Sequence, residues 1–173
     1  GEIDFDIEEV GKPQPVTWGK CKLATASFGH GINTNLLQLT KAYAIISNGG
    51  NYIKPTLIKK KFDFNQKKII SDETSQKINS ILRKIVLTGT AKLANVPSYE
   101  IGGKTGTAQT VEGKNNTSWF VGIDSISKPE YVIAVVVEEG GSGSAVAAPV
   151  ARRIIQYLKG LQLTPVEFGE VTE

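Results

Sequence analysis

The run Tyr131-Val132-Ile133-Ala134-Val135-Val136-Val137 is apolar at every position. A strand with one wet face alternates apolar and polar side chains, so a run without alternation has to be covered on both faces. Helices are at hand to cover it. Ser71 caps one, Asp72 and Glu73 suit its positive end, and Ile78, Ile81, Leu82, Ile85 and Val86 recur at i, i+3, i+4, i+7 and i+8. That spacing predicts a helix over 72–86 with those five residues buried. A second helix, over about 35–47, starts from a Thr34 cap. It carries Leu36, Leu39, Tyr43 and Ile46 on one face and stops at Asn48-Gly49-Gly50. A third, around 145–160, takes Pro149 in its first turn. Its stripe is Val146, Val150, Ile154 and Leu158, with Arg152, Arg153 and Gln156 turned outward.

Two more strands, 101–110 and 118–123, precede the apolar one. A polar turn with Gly113, Asn115 and Asn116 separates them, and Lys128-Pro129-Glu130 turns the chain into the last strand. Links this short imply an antiparallel meander. The order of two helices, three antiparallel strands and one helix defines an α+β fold, an antiparallel sheet flanked by helices. Residues 24–33 read as a glycine-punctuated turn, and 52–58 as a short extended segment with an edge-type proline, Pro55. Residues 1–22 read either as a strand through Ile3, Phe5 and Ile7 or as an N-terminal arm; 161–173 read as a tail.

Composition removes several function classes. The net charge of +3 is not gathered into a dense basic block, so no nucleic-acid partner is expected. One cysteine, Cys21, and one histidine, His30, exclude an internal disulfide and a thiolate cage and leave no zinc set, so neither metal nor cofactor is expected. His30 has no acid partner near it in sequence and reads as structural; Cys21 reads as an inert thiol, and Trp119 and Phe120 as core or groove wall. The longest apolar run is far short of the ~20 residues of a membrane span. The start at Gly1, with no methionine or leader, reads as a piece of a longer protein.

Chemistry concentrates in Gly102-Gly103-Lys104-Thr105-Gly106-Thr107-Ala108-Gln109. On a strand, Thr105 and Thr107 share a face and offer two hydroxyls to a carboxylate. Gly106 has no Cβ to hold off a peptide pairing along the strand. Lys104 alternates to the other side, but its stem is long enough to bring the charge round the edge. The backbone N–H of Thr107 is the candidate oxyanion donor. The bland alternative is a glycine-bearing edge strand with a solvent lysine. A phosphate loop is excluded, because the glycine it needs falls on Ser98 and no helix follows.

Lys-Thr-Gly is one of the marks of penicillin-binding proteins and serine β-lactamases. The segment Ala24–Gln38, Asn48-Gly49-Gly50 before Tyr52-Ile53-Lys54-Pro55, Gly89-Thr90-Ala91, Gly102–Gln109, Trp119-Phe120-Val121-Gly122 and Ala147-Ala148-Pro149-Val150 resemble class B penicillin-binding proteins in the same order. The match covers most of 20–160 and is most similar to the cell-division branch; Asn35 departs from the proline often found there. The resemblance implies a partial penicillin-recognising fold, with residues 23–160 as the C-terminal part of a transpeptidase domain. It implies Lys104 and Thr107 as catalytic residues and Thr105, Gly106 and Thr107 as substrate-binding ones. The implied partners are a D-Ala-D-Ala stem peptide and β-lactam antibiotics, and the implied place is the periplasmic face of the inner membrane.

The same resemblance requires a nucleophile in Ser-x-x-Lys and a Ser-x-Asn. The only Ser-x-x-Lys is Ser125-Ile126-Ser127-Lys128, which precedes Pro129 and follows the Lys-Thr-Gly strand, and Ser-x-Asn is absent. The attacking serine is therefore expected outside this chain, which should not acylate alone. Two strands of the family's sheet are also expected elsewhere. The edge of the last strand would be met by self-association, by residues 2–8 or by the rest of the domain. Competing readings are a non-catalytic binding module of the same fold and a serine β-lactamase fragment.

Overall fold

The computed structural model describes residues 22–29, 32, 34–57, 67–109 and 114–161. Its helices are α1 (Lys22–Ser27), α2 (Leu36–Ser47), α3 (Asp72–Thr88) and α4 (Ala148–Leu158). Its strands are β1 (Gly102–Ala108), β2 (Thr117–Ile123) and β3 (Val132–Val137), with a 3-10 turn at Lys92–Ala94 and a π-helical turn at Gly143–Ala147. The strands form one antiparallel sheet in the order β1-β2-β3, pairing Thr105 with Phe120 and Phe120 with Val135. The expected α+β meander is what forms. Residues 1–21, His30 and the tail beyond 161 lie outside the described residues.

Pairing fixes the two faces. Phe120, Ile133 and Val135 are buried together with Ala147, Ala148, Ala151 and Ile155 from the closing helical segment, and Val86 of α3 joins them. Val121 and Ile123 are buried on the opposite face, toward α2 and α3. There Gly102 lets Leu82 approach, since a Cβ on it would stand 3.2 Å from the Leu82 Cβ. Within the apolar run, Ile133 and Val135 are buried, Val132, Ala134 and Val136 are half-buried on the face that α2 packs against, and Tyr131 at its start is 42% exposed, so the second face is covered only in part.

Local details depart from the sequence reading where packing outweighs local preference. Residues 24–27 are helical instead of forming a turn: Ala24 and Ala26 favour helix, and the turn comes only at Phe28-Gly29, where Gly29 takes φ +88°. The cap of α2 is Asn35, not Thr34; Asn35 Oδ1 accepts the Gln38 N–H at 2.8 Å, while the Thr34 hydroxyl turns to Gln38 Oε1. Ser71 caps α3 as expected, its hydroxyl accepting the Thr74 N–H at 3.1 Å. The buried line of α3 is Ser75, Asn79, Leu82 and Val86, and Ile81 is exposed. Ser75 Oγ donates to the Ile46 carbonyl at 2.5 Å, and this polar contact with the end of α2 turns the helix off its apolar stripe. On α4 the buried set is Ala148, Pro149, Ala151, Ile155 and Gln156, whereas Ile154 and Leu158 are exposed. Small alanines let that side of the helix lie close to the sheet, which outweighs the larger residues on the predicted stripe.

A clasp closes the far end of the sheet. Asp124, at the end of β2, accepts the N–H groups of Glu130 (3.0 Å) and Tyr131 (2.9 Å) on Oδ1, while Oδ2 meets Lys159 Nζ at 2.6 Å. Lys159 also reaches Glu130 at 2.6 Å and lies over the rings of Tyr131 and Tyr99. Burial pushes the Asp124 carboxyl up, but the Lys159 ammonium and the two amides outweigh it and hold it below the usual carboxylate range. Hydrogen bonds to Asp124 and Glu130 hold Lys159 above the usual lysine range.

Candidate active site

β1 ends the sheet on one side, paired only to β2 among the described residues. Its start is fixed from behind, because Arg83 of α3 donates from Nη1 to the Ile101 carbonyl at 2.9 Å and to Asn95 Oδ1 at 3.2 Å. From there the strand carries Lys104, exposed, Thr105, buried, Gly106, half-buried, and Thr107, exposed.

Lys104 does bring its charge round. Its Nζ donates to the Thr105 carbonyl at 2.6 Å. In an antiparallel strand the amide and carbonyl of one residue point the same way, and the direction repeats every second residue. The Thr107 N–H therefore shares the side on which Lys104 meets Thr105. The two threonine side chains share a face, as their pairing with Phe120 and Ser118 shows. That is the face covered by α4 and the π-helical turn, so both hydroxyls find partners within the chain. Thr105 Oγ1 donates to Thr90 Oγ1 at 2.9 Å, and Thr107 Oγ1 accepts the Gly143 N–H at 3.2 Å. Gly106 lies on the other face, where a Cβ would stand 3.3 Å from the Trp119 Cβ.

Three contributors escaped the sequence reading. Arg83 was hidden as an ordinary helix charge. Thr90 sits in a recognisable Gly-Thr-Ala, but nothing in the spacing joins it to Thr105. Gly143 sits unremarked in the run Gly140-Gly141-Ser142-Gly143-Ser144; a Cβ on it would collide with the Gly106 carbonyl oxygen and come within 2.7 Å of the Trp119 oxygen. Phe120 is fully buried in the core, and Trp119 is half-buried. Ser125 to Lys128 lie in the β2–β3 loop, where the Ser125 hydroxyl accepts the Lys128 N–H at 3.2 Å, so this Ser-x-x-Lys does not head a helix.

An α+β sheet ending in a Lys-Thr-Gly strand, backed by a closing helix, defines the penicillin-recognising class of domain. The penicillin binding protein transpeptidase domain model matches residues 1–156. The chain belongs to that family. Stage V sporulation protein D of Bacillus subtilis is 33% identical over 175 residues, covering 89% of this chain and 26% of the relative. A peptidoglycan D,D-transpeptidase FtsI homolog of Mesostigma viride is 31% identical over 182 residues, covering 86% of this chain and 30% of the relative. The chain thus spans roughly a quarter to a third of the length of these relatives. Among solved structures, the apo transpeptidase domain of Burkholderia pseudomallei penicillin-binding protein 3 superposes with a TM-score of 0.75 at 30% identity, over 91% of this chain and 54% of that one. Penicillin binding protein 3 of Mycobacterium tuberculosis, in complex with aztreonam, gives 0.71 at 26% identity, over 89% and 42%.

Proposed function

We propose that this chain forms the substrate-binding wall of a serine D,D-transpeptidase that cross-links peptidoglycan stem peptides and is acylated by β-lactams. The observation that carries the proposal is the edge strand itself: Lys104 at the Thr105 carbonyl, with Thr107 exposed two residues on. A donor acyl-peptide pairs along this edge. Its terminal carboxylate meets the hydroxyl cluster, and its scissile carbonyl meets the Thr107 N–H as one oxyanion donor. Lys104 supplies positive charge to the same edge. In this reading the Ser-x-x-Lys nucleophile and the Ser-x-Asn come from residues outside the chain; the serine attacks the penultimate D-Ala carbonyl, D-Ala leaves, and an amine of a second strand resolves the ester. A place in the division machinery and an extracytoplasmic setting are part of the proposal, supported by relatives whose names include an FtsI homolog.

The test is acylation by a fluorescent penicillin. The intact protein is expected to be labelled one-to-one, with Lys104→Ala slowing labelling by ~10²-fold or more. The 173-residue chain alone is expected to stay unlabelled. Stoichiometric labelling of the isolated chain sinks the division of labour, and an unlabelled intact protein sinks the enzyme reading. Rapid loss of the label from the intact protein would mark a β-lactamase instead.

A further inference from the structure

We propose that Arg83 of α3 is a positioning residue for acyl transfer, tying the base of β1 so that Lys104 and the Thr107 N–H stand where the substrate needs them. The inference rests on the transpeptidase reading above. Thr107 lies six residues beyond Ile101, about 20 Å along an extended strand, so Arg83 touches no reacting group and acts through β1.

β1 needs such a tie. Three of its seven residues, Gly102, Gly103 and Gly106, have no side chain to wedge the strand in place, and glycine inside a strand weakens it. Among the described residues the strand pairs on one side only, with β2. One ladder fixes the register but leaves the outer edge free to twist. That outer edge carries the contact of Lys104 with the Thr105 carbonyl and, two residues on, the Thr107 N–H.

The base of the strand is held from two sides. Toward β2, the Ile126 N–H donates to the Glu100 carbonyl at 2.9 Å, and the Ile126 side chain packs on Gly102, where a Cβ would collide with it. On the other side Arg83 Nη1 donates to the Ile101 carbonyl at 2.9 Å. Carbonyls of consecutive residues in an extended chain point opposite ways, so the Arg83 bond belongs to the edge that β2 leaves unsupported. Asn95 Oδ1, 3.2 Å from the same nitrogen, aims the guanidinium. The tie runs to a rigid element, a 17-residue helix capped by Ser71.

The experiment measures acylation of the full-length protein by a penicillin, separating the affinity of the first encounter from the acylation rate constant k2. An oxyanion contact strengthens as the carbonyl is attacked, so a strand that has lost its tie slows k2 and spares affinity. Arg83→Met is expected to lower k2 by about 10-fold or more and to change the affinity by less than about 3-fold. Both bonds leave one nitrogen, so the ammonium of Arg83→Lys should restore k2 to within about 3-fold of wild type. Asn95→Ala, at a half-buried position outside the helix, should lower k2 by about 3-fold or more, and it carries the test if Arg83→Met does not fold. Ser71→Ala, which loosens the far end of α3, should leave k2 at the wild-type value. A wild-type k2 in folded Arg83→Met, or in Asn95→Ala where Arg83→Met does not fold, overturns the assignment. An equal loss in Ser71→Ala, no recovery in Arg83→Lys, or a loss confined to affinity also overturns it. A wild-type protein that the penicillin does not acylate removes the transpeptidase reading, and this role with it.

Discussion

Removing the charge from Lys159 should destabilise the domain by about 3 kcal/mol. The side chains of Lys159 and Asp124 are 13% and 1% exposed, so the pair is largely out of water. Taking one partner from a buried pair usually costs about 3–5 kcal/mol, because the other charge stays behind without a counter-ion. In Lys159→Met the stranded carboxylate keeps its two backbone N–H donors, which sets the lower end of that range. Asp124→Asn should cost about 2 kcal/mol, since the amide oxygen still accepts from those amides and Lys159 keeps Glu130, itself 48% exposed, as a weaker partner. The double variant should cost about 3 kcal/mol, giving a coupling of about 2 kcal/mol between the two sites. Urea unfolding at pH 7, followed by tryptophan fluorescence, reads all three. The pH dependence gives a second check. Asp124 is held below its unfolded value, so its contribution is present above about pH 4 and is lost as the pH falls through the lower folded value. Lys159 is held above its unfolded value, so its share is complete below about pH 10 and fades only as the pH rises past that point. The gap between wild type and Asp124→Asn should be flat from roughly pH 5 to 9 and shrink toward pH 3. Single variants whose costs simply add, or a gap that does not narrow between pH 5 and pH 3, would refute the argument.

Other expectations follow from the same contacts. Gly143→Ala should slow penicillin acylation of the intact protein by about 10-fold or more, because the added methyl pushes on the Gly106 carbonyl; an unchanged rate would show that the loop yields instead of the strand. Ser71→Ala should lower unfolding stability by about 1 kcal/mol through loss of the cap to Thr74, with acylation unaffected. Ile155→Ala should cost about 2–5 kcal/mol in urea unfolding, whereas Ile154→Ala, one position away on the exposed side, should cost under about 1 kcal/mol. A larger loss at Ile154 would mean that the rotation of α4 is misread.

These pairs also show where sequence reasoning runs out. Ser71 with Asp72 and Glu73 was legible because a cap is decided within four residues. The meander was legible because each strand lies next to its partner in the chain. The stripe of α4 was misplaced because alanine counts for little on a hydrophobic scale, yet at 148 and 151 it sets how near the helix comes. Ile81 was assigned to the core because Ser75 and Asn79 gave no sign of the carbonyl they would seek on α2. At the candidate site, a strand bearing Lys104, Thr105 and Thr107 was legible, but the partners of its two hydroxyls were not. Those partners are Thr90 and Gly143, which lie 15 residues before Thr105 and 36 after Thr107, and no local pattern links them.

The unbroken order β1-β2-β3 also bears on the time at which the site is made. Among the described residues, every strand pairing in this sheet joins neighbours along the chain, so little loop entropy opposes it, and sheets of low contact order form quickly. The clasp between Asp124 and Lys159 closes across a much longer stretch and needs α4 to be in place. The wall that carries Lys104 to Thr107 should consequently be in register before the clasp fastens behind it, so damage to the clasp should be felt mainly as faster unfolding and not as slower folding.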